Sequence, residues 1–218
     1  AGNLGTCIAD GLVESGHFSP ESITLTRRRT HLLDPMKARG FDVRKDNTEA
    51  VGNSDVIIIA VEPHQIDGLL DEIAPHLLPD RHVAISTVTG ASVTQITSRI
   101  GEGVAVVRAM PNTAIGVRES MTCLTSNGTD GAALGVARSI FEAVGKVLVI
   151  DEGNGARQVL GLDPGADLEE PGLAGAGSGQ YQAVSNIVEY AEPAFYDYTL
   201  SLGPDNEISR SGQVGDSL

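Results

Sequence analysis

The sequence predicts an α/β protein with a mostly parallel sheet covered by helices on both faces. Three observations point there. Strand-like and helix-like stretches alternate from the first residue to about residue 151, the pattern of strands joined by helical crossovers. One stretch, DVIIIAV (55–61), is a continuous apolar run, as expected of a strand buried on both faces. The chain also opens on AGNLG, a glycine pair at the start of a helical pattern.

Taken in order, residues 3–15 place Leu4, Ile8, Leu12 and Val13 on one helical face. SITLT (22–26) is rich in β-branched residues and lies between Pro20 and a basic run, so it reads as a strand. After DVIIIAV, residues 64–74 bring Ile66, Leu69, Leu70 and Ile73 together as a second helix. HVAIST (82–87) is the next strand, and Ser92 is a plausible N-cap for a helix over 92–100. AVVRAM (105–110) and MTCLTS (121–126) read as strands. Residues 130–144 read as a helix capped by Asp130 and stopped by Gly145, before a last strand, KVLVI (146–150). No internal repeat is visible. Beyond Glu152 the periodicity weakens: 181–191 predicts a short helix, and the end reads as loop.

The 218 residues are 41% hydrophobic and 20% charged, with a formal net charge of -14. That balance argues against a nucleic-acid or anionic-membrane surface, which needs clustered cations. The charge is uneven. Residues 1–151 hold 18 acids and 13 bases, whereas 152–218 hold 11 acids, two bases (Arg157 and Arg210) and 11 of the 26 glycines. Two segments are expected to divide near 151. Cys7 and Cys123 read as small buried hydrophobes in a reducing compartment. No run of 18 apolar residues predicts a membrane span, and a cytoplasmic protein is expected. The five histidines lack metal-ligand spacing, and no nucleophile elbow or phosphate-loop lysine is present. No metal site and no catalytic side chain are assigned.

Gly2 and Gly5 match the second and third glycines of a dinucleotide-binding fingerprint. Its first glycine and lead-in strand do not precede Ala1, so a sheet lacking its first, central strand is expected. Glycines let a pyrophosphate approach the backbone, and a helix N-terminus supplies N–H donors and a favourable dipole. Gly2, Asn3, Leu4 and Gly5 stand where those donors would be; read alone, the same residues also suit a ligand-free turn. The next strand carries no acid at its tip. Thr26 is followed by Arg27, Arg28 and Arg29, 22 residues beyond Gly5. An arginine there accommodates the 2′-phosphate of NADP where an acid would bind the ribose of NAD. A solvated basic turn is the alternative. Pro63 breaks the apolar strand where its carboxyl end should meet a cofactor, with His64 expected in solvent. Pro111-Asn112-Thr113 interrupts two strands with a turn suited to folding over a flat ligand. Arg108 and Arg118 could bind a carboxylate, and neutralising Glu119 is the simpler reading.

Together AGNLGTCIADGL, ITLTRR, DVIIIAVEPHQI, AISTVTG and RAMPNTAIGVRESMT resemble the pyrroline-5-carboxylate reductase family over about residues 1–151. The resemblance implies a Rossmann-like NADP-binding domain over 1–151. It implies that residues 152–218 are a divergent or partly disordered counterpart of an α-helical dimerisation domain. The implied reaction is reduction of 1-pyrroline-5-carboxylate to L-proline with NADP(H), or NAD(H), in a homodimer or higher homo-oligomer. Carried over by motif, Gly2, Asn3, Leu4 and Gly5 bind the pyrophosphate, Thr26 and Arg27 the ribose phosphate, and Asn47 lies near the adenine. Ala60, Val61, Glu62 and Pro63 lie beside the cofactor, with Glu62 where many members have Lys. Met110, Pro111, Asn112 and Thr113 lie at the nicotinamide end. Ser178 and Gly179, in AGSGQY (176–181), faintly echo the loop that holds the substrate carboxylate; the rest of the tail does not match. An inactive NADP-binding remnant is the alternative. A β-hydroxyacid type dehydrogenase is weaker, because Lys37, Lys45 and Lys146 sit in no suitable motif.

Overall fold

The computed structural model describes residues 1–126 and 131–150. Within them the chain runs α1 (Asn3–Glu14), β1 (Thr24–Thr26), α2 (Asp34–Ala38), β2 (Asp42–Arg44), α3 (Asn47–Gly52), β3 (Val56–Ile59), α4 (Ile66–Ile73), β4 (Val83–Ser86), α5 (Val93–Ile100), β5 (Ala105–Met110), β6 (Ser120–Ser126), α6 (Gly131–Glu142) and β7 (Gly145–Val149). These strands form two sheets: a parallel pair, β1–β2, and a five-stranded sheet in the order β3-β4-β5-β6-β7. Every neighbouring pair is parallel except β5–β6. The mostly parallel Rossmann-like fold expected from the sequence is present. Asp130, the segment 181–191, Ser178 and Gly179 lie outside the described residues.

Side chains alternate across a strand, and the five-stranded sheet uses both of its faces. Ile57, Ile59, Ala84 and Val106 pack against Ile66, Leu70 and Ile73 of α4 and Val93, Ile96 and Ile100 of α5. Their neighbours Val56, Ile58, Val83, Ile85, Val107 and Leu124 face Ile8 and Leu12 of α1 and Ala133, Ala137, Ile140 and Phe141 of α6. A third cluster joins Ala9 of α1 to Leu25, Leu33, Met36 and Phe41 around β1 and β2, with Val13 at its edge. Helix α1 therefore packs on both sheets. On the surface, Arg99 of α5 reaches Asp67 and Asp71 of α4 at 3.0 and 2.9 Å, a contact worth roughly 0–1 kcal/mol when exposed.

Several local expectations change. The strand expected over 22–26 shortens to Thr24–Thr26, and α2, β2 and α3 were not expected at all. β3 lies at the edge of its sheet, so Val56, Ile57 and Ile58 are only half-buried and the reading of a strand buried on both faces overstates it. Gly145 opens β7 rather than merely stopping a helix. Its φ of +151° and the backbone of β6 both exclude a side chain: an ideal Cβ there would stand 2.1 Å from the Ser120 carbonyl oxygen. No helix among the described residues is long and apolar enough to cross a membrane.

Ile85→Ala, at a fully buried position between β3 and β5, is expected to lower unfolding free energy by about 2–5 kcal/mol. Val136→Ala on the exposed side of α6 should stay within about 0.5 kcal/mol. Gly145→Ala should destabilise, by more than the about 0.4–1 kcal/mol that a strain-free glycine-to-alanine change gains. Urea unfolding of the three variants checks all of these.

Candidate cofactor site

The amino end of α1 meets the carboxyl ends of strands from both sheets. The Ala1 amine donates to the Thr26 carbonyl at the tip of β1. On the other side, an ideal Cβ on Gly5 would stand 3.8 Å from the Ala60 Cβ, just past β3, and 3.1 Å from the Ala1 Cβ. A side chain on Gly5 would just touch Ala60 and would crowd Ala1. β4 closes the same edge, because the Thr87 N–H and hydroxyl donate to the Ile59 carbonyl at 2.9 and 3.0 Å. The result is a crevice outside the carboxyl ends of parallel strands, where open α/β sheets bind ligands.

The first turn of α1 is open. Gly2 is its N-cap, no side chain caps it, and no acid occupies the first turn. A Cβ on Gly2 would meet nothing within 4 Å. The Thr6 hydroxyl turns back to the Gly2 and Asn3 carbonyls at 3.1 and 2.9 Å, so it does not compete for the N–H groups. Initial N–H groups of a helix have no intrahelical acceptor, and no side chain caps them here. This arrangement fits the pyrophosphate of a dinucleotide.

Beyond it lies positive charge. Arg27 is half-buried, and its N–H donates to the Arg44 carbonyl at 3.2 Å. Its guanidinium enters no ion pair among the described residues, whereas Arg44 is held by Asp42 and Glu49. Burial and the nearby Arg27 lower the Ala1 amine to about 6. An unpaired arginine at this tip suits a 2′-phosphate.

The remaining expected residues are distributed around this centre. Asn47 begins α3, where its amide donates to Glu72 of α4 at 3.2 and 3.3 Å. Asp46 caps α3, accepting from the Thr48 and Glu49 N–H groups and from the Thr48 hydroxyl. The Thr48 hydroxyl, then those backbone donors, hold its carboxyl below the usual carboxylate range. Ala60 and Val61 lead into a 3-10 turn, Pro63–Gln65, with exposed Glu62 as its N-cap. A Glu62 oxygen lies 3.5 Å from Nδ1 of exposed His64. Met110 ends β5; Pro111 and Asn112 are half-buried and Thr113 exposed. Arg118 meets Glu14 at 3.5 Å rather than neutralising Glu119. Burial pushes both thiols up, Cys7 with a further contribution from Asp10. No group of three or more metal-ligating side chains occurs among the described residues.

Sequence reasoning missed Ser120, Thr122 and Thr6. The first two recur at spacing two within SMTCLTS, the one signal that they share a face of β6.

Fold and crevice define the dinucleotide-binding α/β class. A family described as NADP oxidoreductase, coenzyme F420-dependent, matches residues 1–90. Pyrroline-5-carboxylate reductase 2 of Dictyostelium discoideum is 40% identical over 168 residues, 70% of this chain and 56% of that protein. Pyrroline-5-carboxylate reductase 1 of the same organism is 41% identical over 163 residues, 69% of this chain and 29% of that protein. A solved pyrroline-5-carboxylate reductase from Coxiella burnetii superposes with a TM-score of 0.67 at 32% identity, covering 79% of this chain and 62% of that one. The Plasmodium falciparum pyrroline carboxylate reductase, solved with NADP bound, shares the fold at 21% identity, with a TM-score of 0.61 over 73% of this chain and 58% of that one. The chain belongs to the pyrroline-5-carboxylate reductase family. It spans less than two thirds of the length of each of these relatives.

Asp46 supplies a pH prediction. Its folded-state pKa is depressed, so its contribution is fully present above the unfolded value of about 3.9 and is lost as pH falls through the folded value. Asp46→Asn keeps a capping oxygen but cannot titrate there. Its stability should fall less steeply than the wild type's in acid, as read by urea unfolding across pH 2 to 6 (about the range of carboxylate titration).

Proposed function

We propose that the chain binds NADP(H) in this crevice and reduces 1-pyrroline-5-carboxylate to L-proline, the last step of proline synthesis. The observation that carries the proposal is the meeting of an uncapped helix start (Gly2 to Gly5) with unpaired Arg27 and with Ala60 beyond β3. Residues 1–151 are the NADP-binding domain in this reading, and 152–218 belong to the substrate and dimerisation part. NAD(H) is the weaker cofactor. The protein works in the cytoplasm as a homodimer or larger homo-oligomer.

Each set of residues has a task. Gly2, Asn3, Leu4 and Gly5 hold the pyrophosphate through backbone N–H groups and the helix dipole. Thr26 and Arg27 hold the ribose phosphate. Asn47 stands at the adenine side, with Glu72 fixing its amide. Ala60, Val61, Glu62 and Pro63 line the side of the cofactor, and Met110, Pro111, Asn112 and Thr113 line its nicotinamide end. The bound cofactor supplies a hydride for the imine carbon. The chain's own contribution is to orient two flat rings and exclude water. A substrate that arrives as the protonated imine needs no side-chain acid. Ser178 and Gly179 are proposed to hold the substrate carboxylate.

NADPH oxidation by the 218-residue chain, with and without 1-pyrroline-5-carboxylate, tests the reading. Substrate-dependent oxidation is expected; its absence in a folded sample that still binds NADPH would leave a cofactor-binding remnant. Arg27→Ala is expected to raise the Kd for NADPH about ten- to a hundredfold, the loss of a charge-assisted contact. Its Kd for NADH should stay nearly unchanged. Calorimetric titration with both cofactors makes the comparison.

A further inference from the structure

We propose that Ser120 is a positioning residue, whose buried hydroxyl holds the Pro111–Thr113 loop at the rim of the crevice and so sets how the nicotinamide end is presented. The inference rests on the reading above that this loop faces the nicotinamide.

Ser120 is only 1% exposed and Thr122 is fully buried. The Ser120 hydroxyl accepts from the Asn112 N–H at 3.3 Å and lies 3.1 Å from the Thr122 hydroxyl. Asn112 turns its side-chain oxygen back to the Ala114 and Met121 N–H groups, at 3.2 and 3.4 Å. The loop is thereby tied at both ends: Ala114 on its far side and Met121 next to Ser120.

Ser120 is itself immobilised by β7. Its N–H donates to the Val144 carbonyl at 3.2 Å, and Gly145 approaches its backbone so closely that no side chain fits between them. A rigid strand start therefore reaches the loop through the Ser120 hydroxyl, beside the Met121 N–H. Polar networks in a dry interior fix one arrangement when every member is satisfied. The Ser120 hydroxyl itself does not have to touch the cofactor, because it acts through Asn112.

The test uses the full chain, with Ser120→Ala and Thr122→Val as a matched pair. Thr122→Val removes a hydroxyl from the same face but leaves the Ser120–Asn112 bond in place. NADPH affinity is read by calorimetry. Immobilisation of the reduced nicotinamide is read by the emission enhancement of bound NADPH, and loop anchoring by amide exchange at Ala114 and Met121. Ser120→Ala should keep a Kd for NADPH within about twofold of wild type, because the pyrophosphate and Arg27 contacts remain. It should also lose most of the emission enhancement and exchange the two amides about tenfold faster. Thr122→Val should do neither. Where Ser120→Ala does not fold, Ser120→Cys, a weaker acceptor of similar size, should show the same split to a smaller degree. Unchanged emission and exchange in the serine variant, or equal effects in both variants, overturn the proposal. A wild-type chain with no affinity for NADPH overturns the cofactor reading itself, and that failure is seen before any variant is compared.

Discussion

The structure depends on helix α1 being packed on two sheets at once. Ile8 and Leu12 face the large sheet, while Ala9, one position further round the helix, faces the cluster around β1 and β2. Small and large side chains on adjacent faces let one helix serve two surfaces. Were α1 displaced, the tip of β1 and the end of β3 would lose their common neighbour. The crevice follows from this packing rather than from any loop of its own, and so does the position of Arg27 relative to Gly5.

The charges around that crevice are unequal. Among the described residues Arg27 has no counter-ion at the β1 side, whereas Glu62 and His64 form an exposed, loosely paired couple at the β3 side. Exposed pairs of that kind contribute little. The cationic side therefore dominates where a phosphate group would bind, despite the chain's net charge of -14. Acidity overall and a local anion site are compatible because screening confines surface charges to about 8–10 Å.

Long apolar runs made the large sheet readable. β3 to β7, α4, α5 and α6 all lay where apolar runs and periodicity placed them, because each carries several apolar residues in a run or on a regular spacing. Three-residue β2 and five-residue α2 gave no such period; tertiary packing of Met36 and Phe41 holds them instead. The edge position of β3 was invisible for another reason: composition reports how apolar a strand is, not which neighbour stands beside it. At the site, glycines and arginines were legible because their chemistry is unusual at that spacing. The roles of Ser120 and Thr122 were not, since buried hydroxyls and exposed ones look alike in a sequence. Residues such as Glu72, which fixes Asn47 from 25 positions away, become partners only once α3 and α4 have packed.

The uncapped start of α1 has a consequence for the lifetime of the molecule. A helix whose first N–H groups have no side-chain acceptor frays most readily there, and α1 is the element that spans both sheets. Anything anionic that settles on that turn binds the folded chain and not the unfolded one. At a hundred times its Kd, such a ligand would add about 2.7 kcal/mol to folding, a large share of the about 5–15 kcal/mol that typical domains possess. The abundance of the folded chain in a cell would then follow the supply of its dinucleotide, with starved molecules opening first at the helix and reaching proteases sooner than loaded ones.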